Sequence, residues 1–173
     1  AVSCRGTMDV KIAHPEEALE YNKKFIEQIT GAKVSQTQGT LGTPFIWGAT
    51  NSWGGVRTEN FRYNQLEYAD VIEPERIDEI DNETMGPYHM AGCFGCQVHC
   101  RAQYKIPSGK YKGKYDEGPE YTSQGAFGAE VGCRSAETVL AGNHLVDQFG
   151  MDNLETGSMI AWGSTWPIRS SKP

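Results

Sequence analysis

The sequence lacks a long apolar run and an excess of positive charge. No stretch of its 173 residues approaches the about 20 consecutive apolar residues that a transmembrane helix needs. It carries 16 Lys and Arg against 22 Asp and Glu, which gives a formal net charge of −6. Because phosphate backbones are bound by basic surfaces, this charge argues against a general nucleic-acid-binding protein. We expect neither a membrane span nor a nucleic-acid partner.

The chain also lacks an initiator Met and the pattern of a signal peptide. It begins AVSCRGTMDV, without a charged start or a long apolar middle. It has five cysteines, and an odd number fits poorly with a disulfide framework. We therefore expect a cytoplasmic protein whose cysteines are ligands. Both ends stop inside an apparent element, so we expect a fragment of a longer protein.

Three stretches have the pattern of helices. The clearest is PEEALEYNKKFIEQITG, with Pro15 in its first turn and Gly31 at its end. Two more are predicted, from near Ser135 to Gly150 and from Asp152 or Asn153 onward. The apolar positions of the first helix predict a buried stripe. They are Ala18, Tyr21, Phe25, Ile26 and Ile29, with Asn22 as a polar interruption.

The rest of the chain is richer in glycine and proline. Residues 1–13 resemble a strand that ends in a turn. Residues 36–60 are rich in glycine and contain two tryptophans, which predicts an ordered loop whose glycines let the backbone approach a neighbour closely. A short acidic helix is expected from Pro74, and a loop-rich segment from the cysteines to residue 128.

The stretch AGCFGCQVHC has three cysteines with C-x2-C-x3-C spacing, at Cys93, Cys96 and Cys100. Thiolates are soft ligands that suit iron–sulfur clusters or zinc. The spacing excludes c-type haem attachment, because Gln97 rather than His follows the second cysteine. The spacing favours an iron–sulfur cluster over zinc.

Two alternatives stay open at the cysteines. A zinc site would use His99 within the run, or would recruit Cys133 or His89 as its fourth ligand. The neighbouring positions of His99 and Cys100 make it difficult for both side chains to reach one metal. The other alternative is a set of buried cysteines without metal.

Four segments, in this order, resemble the tungsten-containing aldehyde:ferredoxin oxidoreductase family. They are WGGVRTENF, the cysteine run, KYDEGPEYTSQGAFG and DQFGMD. The resemblance implies that Cys93, Cys96 and Cys100 hold three irons of a [4Fe-4S] cluster, with the fourth ligand downstream of this chain. It also implies that the D-x-x-G-M-D segment binds the pterin of a tungsten (or molybdenum) bis-pterin cofactor. Its matching residues are Asp147, Gly150, Met151 and Asp152.

The resemblance implies further roles at single residues. Glu120 would move protons near the metal, and Cys133 would be a tungsten ligand. Arg57 and Asn60 would contact cofactor phosphate or substrate. Each has a plainer alternative: a solvated loop carboxylate for Glu120, a buried apolar residue for Cys133, and a surface ion pair for Arg57. For the D-x-x-G-M-D segment the plainer alternative is a helix C-cap followed by an N-cap.

The resemblance implies a mainly α fold with long loops, the central and C-terminal helical domain of the family. Residues 1–13 would end a β-rich pterin-binding domain, 14–162 would form an incomplete iron–sulfur and pterin-binding domain, and 163–173 depart from the pattern. The glycine-rich segment and the cysteine run are most similar to the tungsten subunit of class II benzoyl-coenzyme A reductases.

That branch implies reduction of the benzoyl-coenzyme A ring during anaerobic aromatic degradation. Aldehyde oxidation is the alternative within the family, and a zinc-stabilised module without catalysis is the alternative outside it. Ferredoxin or electron-transfer subunits are the implied partners, beside a small-molecule substrate. The isolated fragment is expected to be inactive.

Overall fold

The computed structural model describes residues 3, 5–7 and 11–165, and these are mainly helical. Two 3-10 turns, Thr43–Ile46 and Ala69–Val71, and one π-helical segment, Gly125–Glu130, complete the helical part. Within the described part of the chain, no helix is long and apolar enough to cross a bilayer. The predicted mainly α fold is confirmed. The helices are α1 Pro15–Gly31, α2 Lys33–Leu41, α3 Trp47–Ser52, α4 Pro74–Met85, α5 Tyr121–Gln124, α6 Ala136–Phe149 and α7 Asn153–Thr165.

The predicted helix boundaries follow from local chemistry. In α1, Pro15 occupies the first turn, where its missing N–H would have no intrahelical partner. At the start of α6, the Ser135 hydroxyl accepts a hydrogen bond from the Thr138 N–H at 3.2 Å. At its end, Gly150 adopts the left-handed conformation, with φ 64°. The predicted start and end of α6 are therefore confirmed.

A three-stranded antiparallel sheet lies where a loop was predicted. Its strands are β1 Met90–Ala91, β2 Arg101–Lys105 and β3 Tyr115–Glu117, in the order β1-β2-β3. The register pairs Met90 with Ala102 and Tyr104 with Asp116. The loop prediction up to residue 128 is wrong for these strands and for the helical residues 121–128. Strands of two to five residues are too short to show a clear alternation.

Two apolar clusters form the core, and α6 contributes to both. The first lies around Trp47, Phe127 and Val139, and the second lies around Ile80, Tyr104 and Leu140. Because α4 packs against β2, the second cluster fixes the sheet on the helical body. The central position of α6 places its C-terminal end, residues 147–149, beside the sheet.

The predicted buried stripe of α1 is wrong. No residue of this helix is buried, and Tyr21, Phe25 and Ile26 are 68%, 48% and 42% exposed. Ala18 and Ile29 are only half-buried. The apolar pattern predicted the helix itself correctly. Among the described residues, however, α2 is the principal neighbour of α1, and it covers little of the apolar stripe.

The ends of the chain contribute few observations. The described residues within 1–13 form no strand, and the others of that segment lie outside the described residues. The helix α7 continues to Thr165, and the hydroxyls of Ser164 and Thr165 donate to the carbonyls of Ala161 and Trp162. Residues 166–173 of the predicted tail lie outside the described residues.

Candidate functional site

The three cysteines lie in the loop that connects β1 to β2. Cys93 and Cys96 are joined by a turn in which the Cys96 N–H donates to the Cys93 carbonyl at 2.9 Å. Cys100 directly precedes β2, and all three are free thiols. Cys93 is exposed, while Cys96 and Cys100 are half-buried. The loop therefore presents one exposed and two half-buried thiols.

Glycines of α2 and the following turn lie directly against this cysteine loop. A Cβ added to Gly39 would lie 2.7 Å from the Val98 carbonyl oxygen. At Gly42, which has φ 68°, it would lie 3.1 Å from the Cys100 carbonyl oxygen. The expected close approach of the glycine-rich segment to a neighbour is confirmed, and that neighbour is the backbone of the cysteine loop. The predicted loop is wrong for residues 36–52, which are helical in α2, the 3-10 turn and α3 except at Gly42.

The electrostatics place Glu120 in the neighbourhood of the cysteines. Burial raises the pKa of the Cys100 thiol, and the nearby Glu120 carboxylate, Cys96 and Cys93 raise it further. The Thr43 hydroxyl donates a hydrogen bond to the Glu120 carboxylate and accepts one from the Tyr121 N–H, the latter at 2.8 Å. Glu120 is thus half-buried and oriented by Thr43, unlike a fully solvated loop carboxylate.

The donor set in this loop is three free thiols, which are ligands that an iron–sulfur cluster takes. Within the described residues, no group of three His, Cys, Asp or Glu side chains converges on one ion. A four-iron cluster binds one thiolate at each iron, so its cysteines do not have to meet at a point as zinc ligands do. The His89 ring lies 3.0 Å from the Gly86 carbonyl and 3.1 Å from Asp78, so its contacts are with those groups.

Cys133 lies apart, against the first core cluster. Its N–H donates to the Gly128 carbonyl at 2.8 Å, and its sulfur contacts the Ser135 carbonyl at 3.5 Å. Its thiol is also near the side chain of Tyr68. Burial is the main cause that raises the pKa of the Tyr68 hydroxyl, and Cys133 is among the neighbouring charges that raise it further. These contacts match a partly buried apolar cysteine, and the role of tungsten ligand stays a prediction.

The D-x-x-G-M-D segment forms the corner between α6 and α7. Gly150 takes the left-handed position, and the Met151 N–H donates to the Val146 carbonyl at 2.9 Å. The Asp152 side chain accepts the Glu155 N–H at 2.9 Å and so caps α7. The C-cap and N-cap alternative is confirmed as a structural role, and the corner leaves Asp147 and Asp152 exposed.

Side chains that the sequence did not single out surround Asp147. Asn143 donates to its carboxylate at 3.3 Å, and the His144 ring lies 2.7 Å from the Asp116 carboxylate. Burial raises the pKa of Asp147, and the charge and hydrogen bond of Asp116 raise it further. The sequence analysis missed Asp116, Asn143 and His144. The signal available in the sequence was their spacing. His144 and Asn143 precede Asp147 by three and four residues, so that the three side chains are neighbours on the helix surface.

Arg57 and Asn60 lie in the loop that follows α3, which is strained. Residues 59, 60 and 61 all have left-handed φ angles, 48°, 55° and 62°. Arg57 lies 3.6 Å from the buried Glu130 carboxylate, and Asn60 donates to the Thr165 hydroxyl at 2.9 Å. Arg57 and Arg62 line an open cleft of about 560 Å³. Arg57 therefore forms an ion pair, but with a buried carboxylate and not with the surface partner of the plainer alternative, and 44% of its side chain stays exposed.

The sheet connects the cysteine loop with the corner at Asp147. Arg101, next to Cys100, pairs with the Glu117 carboxylate at 2.9 Å. The Glu117 carbonyl accepts a hydrogen bond from Asn143 at 3.0 Å, and Asn143 also contacts Asp147. The structure thus links the cysteine loop to the Asp147 corner through β2 and β3, with Glu120 near Cys100. Arg57 shares a small cavity of about 150 Å³ with Tyr121, next to Glu120, and with Leu154 of α7, whereas Cys133 packs against the first core cluster.

Comparisons with known proteins identify relatives along almost the whole chain. The chain is 29% identical over 167 residues to the tungsten-containing aldehyde ferredoxin oxidoreductase of Pyrococcus abyssi, and 27% identical to that of Thermococcus kodakarensis. Each match covers 93% of this chain and 25% of the relative, so the chain spans about a quarter of their length. A third relative, the WOR-like subunit of an aliphatic sulfonate oxidoreductase from Pyrococcus furiosus, is 29% identical over 107 residues. That match covers 62% of this chain and 17% of the relative.

A family model agrees with these relatives. The model described as aldehyde ferredoxin oxidoreductase, domains 2 and 3, matches residues 20–165. This range contains the cysteine loop, Glu120 and the corner between α6 and α7. Since it covers most of the 173 residues, the chain belongs to the aldehyde ferredoxin oxidoreductase family, in the region of its second and third domains.

Proposed function

We propose that this chain is the iron–sulfur and pterin-binding part of a cytoplasmic oxidoreductase that oxidises aldehydes to carboxylic acids and passes the electrons to ferredoxin. The observation that carries the proposal is the cysteine triad beside the half-buried Glu120, joined through the sheet to the Asp147 corner. The names of the relatives support tungsten, aldehydes and ferredoxin as cofactor metal, substrate and partner.

The first part of the proposal is a [4Fe-4S] cluster at Cys93, Cys96 and Cys100. Such a cluster supplies one-electron transfer, with a potential tuned by burial and by hydrogen bonds to its sulfurs. The chain's own contribution is to hold the loop in place through Gly39 and Gly42, whose bare backbone contacts it. Cys96 and Cys100, which are half-buried, and Cys93, which is exposed, would hold the cluster, and the bound cluster would supply electron transfer there.

The second part is a pterin site at the corner between α6 and α7. A tungsten bis-pterin supplies two-electron chemistry when bound, and molybdenum is the alternative metal. Asp147 and Asp152 are exposed carboxylates that can accept hydrogen bonds from the ring nitrogens of a pterin. Gly150 leaves open space at the corner, since a Cβ there would meet no atom within 4 Å. Met151 completes the segment beside it.

The third part is proton transfer by Glu120. Oxidation of an aldehyde by water to a carboxylic acid releases two electrons and two protons, so the site needs a proton acceptor near the electron carrier. Glu120 is within electrostatic range of Cys100, and Thr43 orients it by a hydrogen bond. Cys133 as a tungsten ligand is a lesser proposal, because it packs against the first core cluster. Arg57 and Asn60 as phosphate contacts are also lesser proposals, because Arg57 already pairs with Glu130 and Asn60 with Thr165.

Ring reduction of benzoyl-coenzyme A is the second candidate function. It rests on the resemblance of the glycine-rich segment and the cysteine run to the benzoyl-coenzyme A reductase branch. The relatives named above are aldehyde and sulfonate oxidoreductases, which favours aldehyde oxidation. An electron-transfer subunit would replace ferredoxin as the partner in the ring-reducing case.

The test uses the complete polypeptide purified without oxygen. We expect iron, sulfide, tungsten and pterin in it, and reduction of ferredoxin with aldehydes but no ring reduction with benzoyl-coenzyme A. Activity with benzoyl-coenzyme A alone would favour the second candidate. The 173-residue chain by itself should be inactive, because it spans about a quarter of the relatives' length.

A matched pair of cysteine variants tests the cluster. Cys100→Ser should lose most of the iron, whereas Cys133→Ser should retain it, because Cys133 lies against the apolar core. A colourless protein with stoichiometric zinc, which Cys133→Ser releases, would overturn the proposal in favour of the zinc-stabilised module.

A further inference from the structure

A small cavity lies between the start of α5 and the start of α7. Its volume is about 150 Å³, and its walls include Tyr121 of α5 and Leu154 of α7. Tyr121 directly follows Glu120 in the chain, and Leu154 follows Asp152 with one residue between them. The cavity is therefore adjacent, along the chain, to the proposed proton acceptor and to the proposed pterin corner.

One wall of the cavity is formed by Trp47, whose indole N–H lacks a hydrogen-bond acceptor. Trp47 is 1% exposed, and its Nε1 atom is buried without a partner among the described residues. Tyr121 packs edge-on against the indole, with 5.8 Å between ring centroids, and so restricts its orientation. A buried indole N–H normally has an acceptor, because leaving it unpaired costs about 1–3 kcal/mol. We expect a molecule in the cavity to supply that acceptor.

The second donor on the cavity wall is Arg57. Its Nη2 atom lies 3.6 Å from Oε2 of Glu130, which is too long for a hydrogen bond, and the guanidinium stacks over the Phe61 ring at 5.3 Å. These two contacts position the side chain and leave N–H groups that can donate to a ligand. The ion pair lowers the local net charge, which disfavours a phosphate dianion but permits a carboxylate with a single charge.

We infer that this cavity binds a small aliphatic carboxylate, whose oxygens accept hydrogen bonds from the Trp47 indole and the Arg57 guanidinium. The apolar walls at Val56 and Leu154 suit its alkyl chain. A cavity of about 150 Å³ holds a molecule as large as benzene, which limits the ligand to about six non-hydrogen atoms. The inference rests on the proposed function, because such a carboxylate is the product when a short aliphatic aldehyde is oxidised.

Gly125 offers a way to reduce the size of the cavity. It lies on the cavity wall, and a Cβ added to it would meet no atom within 4 Å. Its φ of −62° is helical, so that Ala can replace it without backbone strain. Gly163→Ala is the matched control, because Gly163 has an equally open Cβ position in α7, more than two helical turns beyond Leu154.

The experiment is a calorimetric titration of the complete polypeptide, purified without oxygen, with acetate, butyrate and benzoate. The parent should bind acetate and butyrate but not benzoate, which is larger than the cavity allows. Gly125→Ala should weaken butyrate binding about tenfold and acetate binding less than about threefold, since the added methyl group overpacks the longer ligand. Gly163→Ala should bind both acids as the parent does.

Two further variants test the donors. Trp47→Phe removes the indole N–H but keeps an aromatic ring, and should weaken acetate binding about tenfold. Arg57→Lys keeps a positive charge opposite Glu130 but loses the planar fork, and should weaken it by a similar factor. Trp53→Phe is the control, because Trp53 is 75% exposed, and it should bind acetate as the parent does. If Trp47→Phe does not fold in thermal unfolding, Arg57→Lys and Gly125→Ala decide.

The outcomes separate the inference from the proposed function. A polypeptide that binds acetate through Trp47 and Arg57 but does not oxidise aldehydes supports the binding site and overturns the proposed function. A polypeptide that oxidises aldehydes, while the variants at Trp47, Arg57 and Gly125 bind both acids as the parent does, overturns the inference alone. The inference also fails if the parent binds neither acetate nor butyrate, or if it binds benzoate more tightly than acetate.

Discussion

Replacing Gly39 by Ala tests whether the glycine-rich segment holds the cysteine loop. The new Cβ would lie 2.7 Å from the Val98 carbonyl oxygen, and that oxygen belongs to the backbone between Cys96 and Cys100. A contact this short cannot be relieved by turning a flexible side chain. Either α2 or the cysteine loop must move.

The expected cost follows from two opposing effects. Overpacking in a rigid environment costs about 1–3 kcal/mol. Replacing Gly by Ala within a helix gains up to about 1 kcal/mol through helix propensity. Gly48→Ala provides the control, because Gly48 also lies in a helix and its Cβ would meet no atom within 4 Å. The difference between Gly39→Ala and Gly48→Ala isolates the clash at about 1–3 kcal/mol.

The assay combines stability with iron content. In thermal unfolding of the chain, Gly39→Ala should melt about 2–12 °C below Gly48→Ala, since 1 kcal/mol corresponds to about 2–4 °C at this size. In the complete polypeptide purified without oxygen, Gly39→Ala should also contain less iron and sulfide than Gly48→Ala. Equal melting temperatures and equal iron in the two variants would refute the reasoning.

Three other changes have defined outcomes. Burial and the charge of a neighbouring carboxylate raise the pKa of Asp81 from 3.8 to about 8. Between these two pH values the folded protein holds a proton that the unfolded chain has lost, so the free energy of unfolding should fall by about 1.4 kcal/mol per pH unit as pH rises. Asp81→Asn should flatten this slope in denaturant titrations at pH 5 and 7. Thr43→Val removes the hydroxyl between Glu120 and the start of α5, and chemical denaturation should show a loss of about 1–2 kcal/mol that Thr43→Ser does not. Gly157→Ala would place a Cβ 2.8 Å from the Ala126 carbonyl oxygen, and should destabilise the protein by about 1–3 kcal/mol and lower its melting temperature by several degrees. An unchanged melting temperature would contradict this packing of α7.

The elements that the sequence predicted well are those with local signals. Pro15 and Gly31 bound α1, and Ser135 and Gly150 bound α6, because caps act through hydrogen bonds within one turn. The caps at Gly150 and Asp152, the plainer alternative for the D-x-x-G-M-D segment, follow from the same local chemistry. The role of the three cysteines as ligands stays a prediction.

The features that the sequence did not predict depend on distant partners. The apolar stripe of α1 has the expected spacing, but burial requires a covering neighbour and periodicity does not supply one. The sheet escaped prediction because its strands are short. Asp116 and His144 are 28 residues apart, so their contact follows from the packing of β3 on α6 and has no signature in either segment.

The hydrogen-bond register of β2 has a mechanical consequence. Cys100 is followed without a spacer by the strand whose Tyr104 pairs with Asp116, and that same tyrosine donates to the Leu140 carbonyl of α6. A displacement of the sulfur-bearing loop is therefore transmitted through a few residues of extended backbone to the carboxyl cluster at the helix end. Under the proposed function, a cofactor bound at one of these two places would reduce the motion of the other.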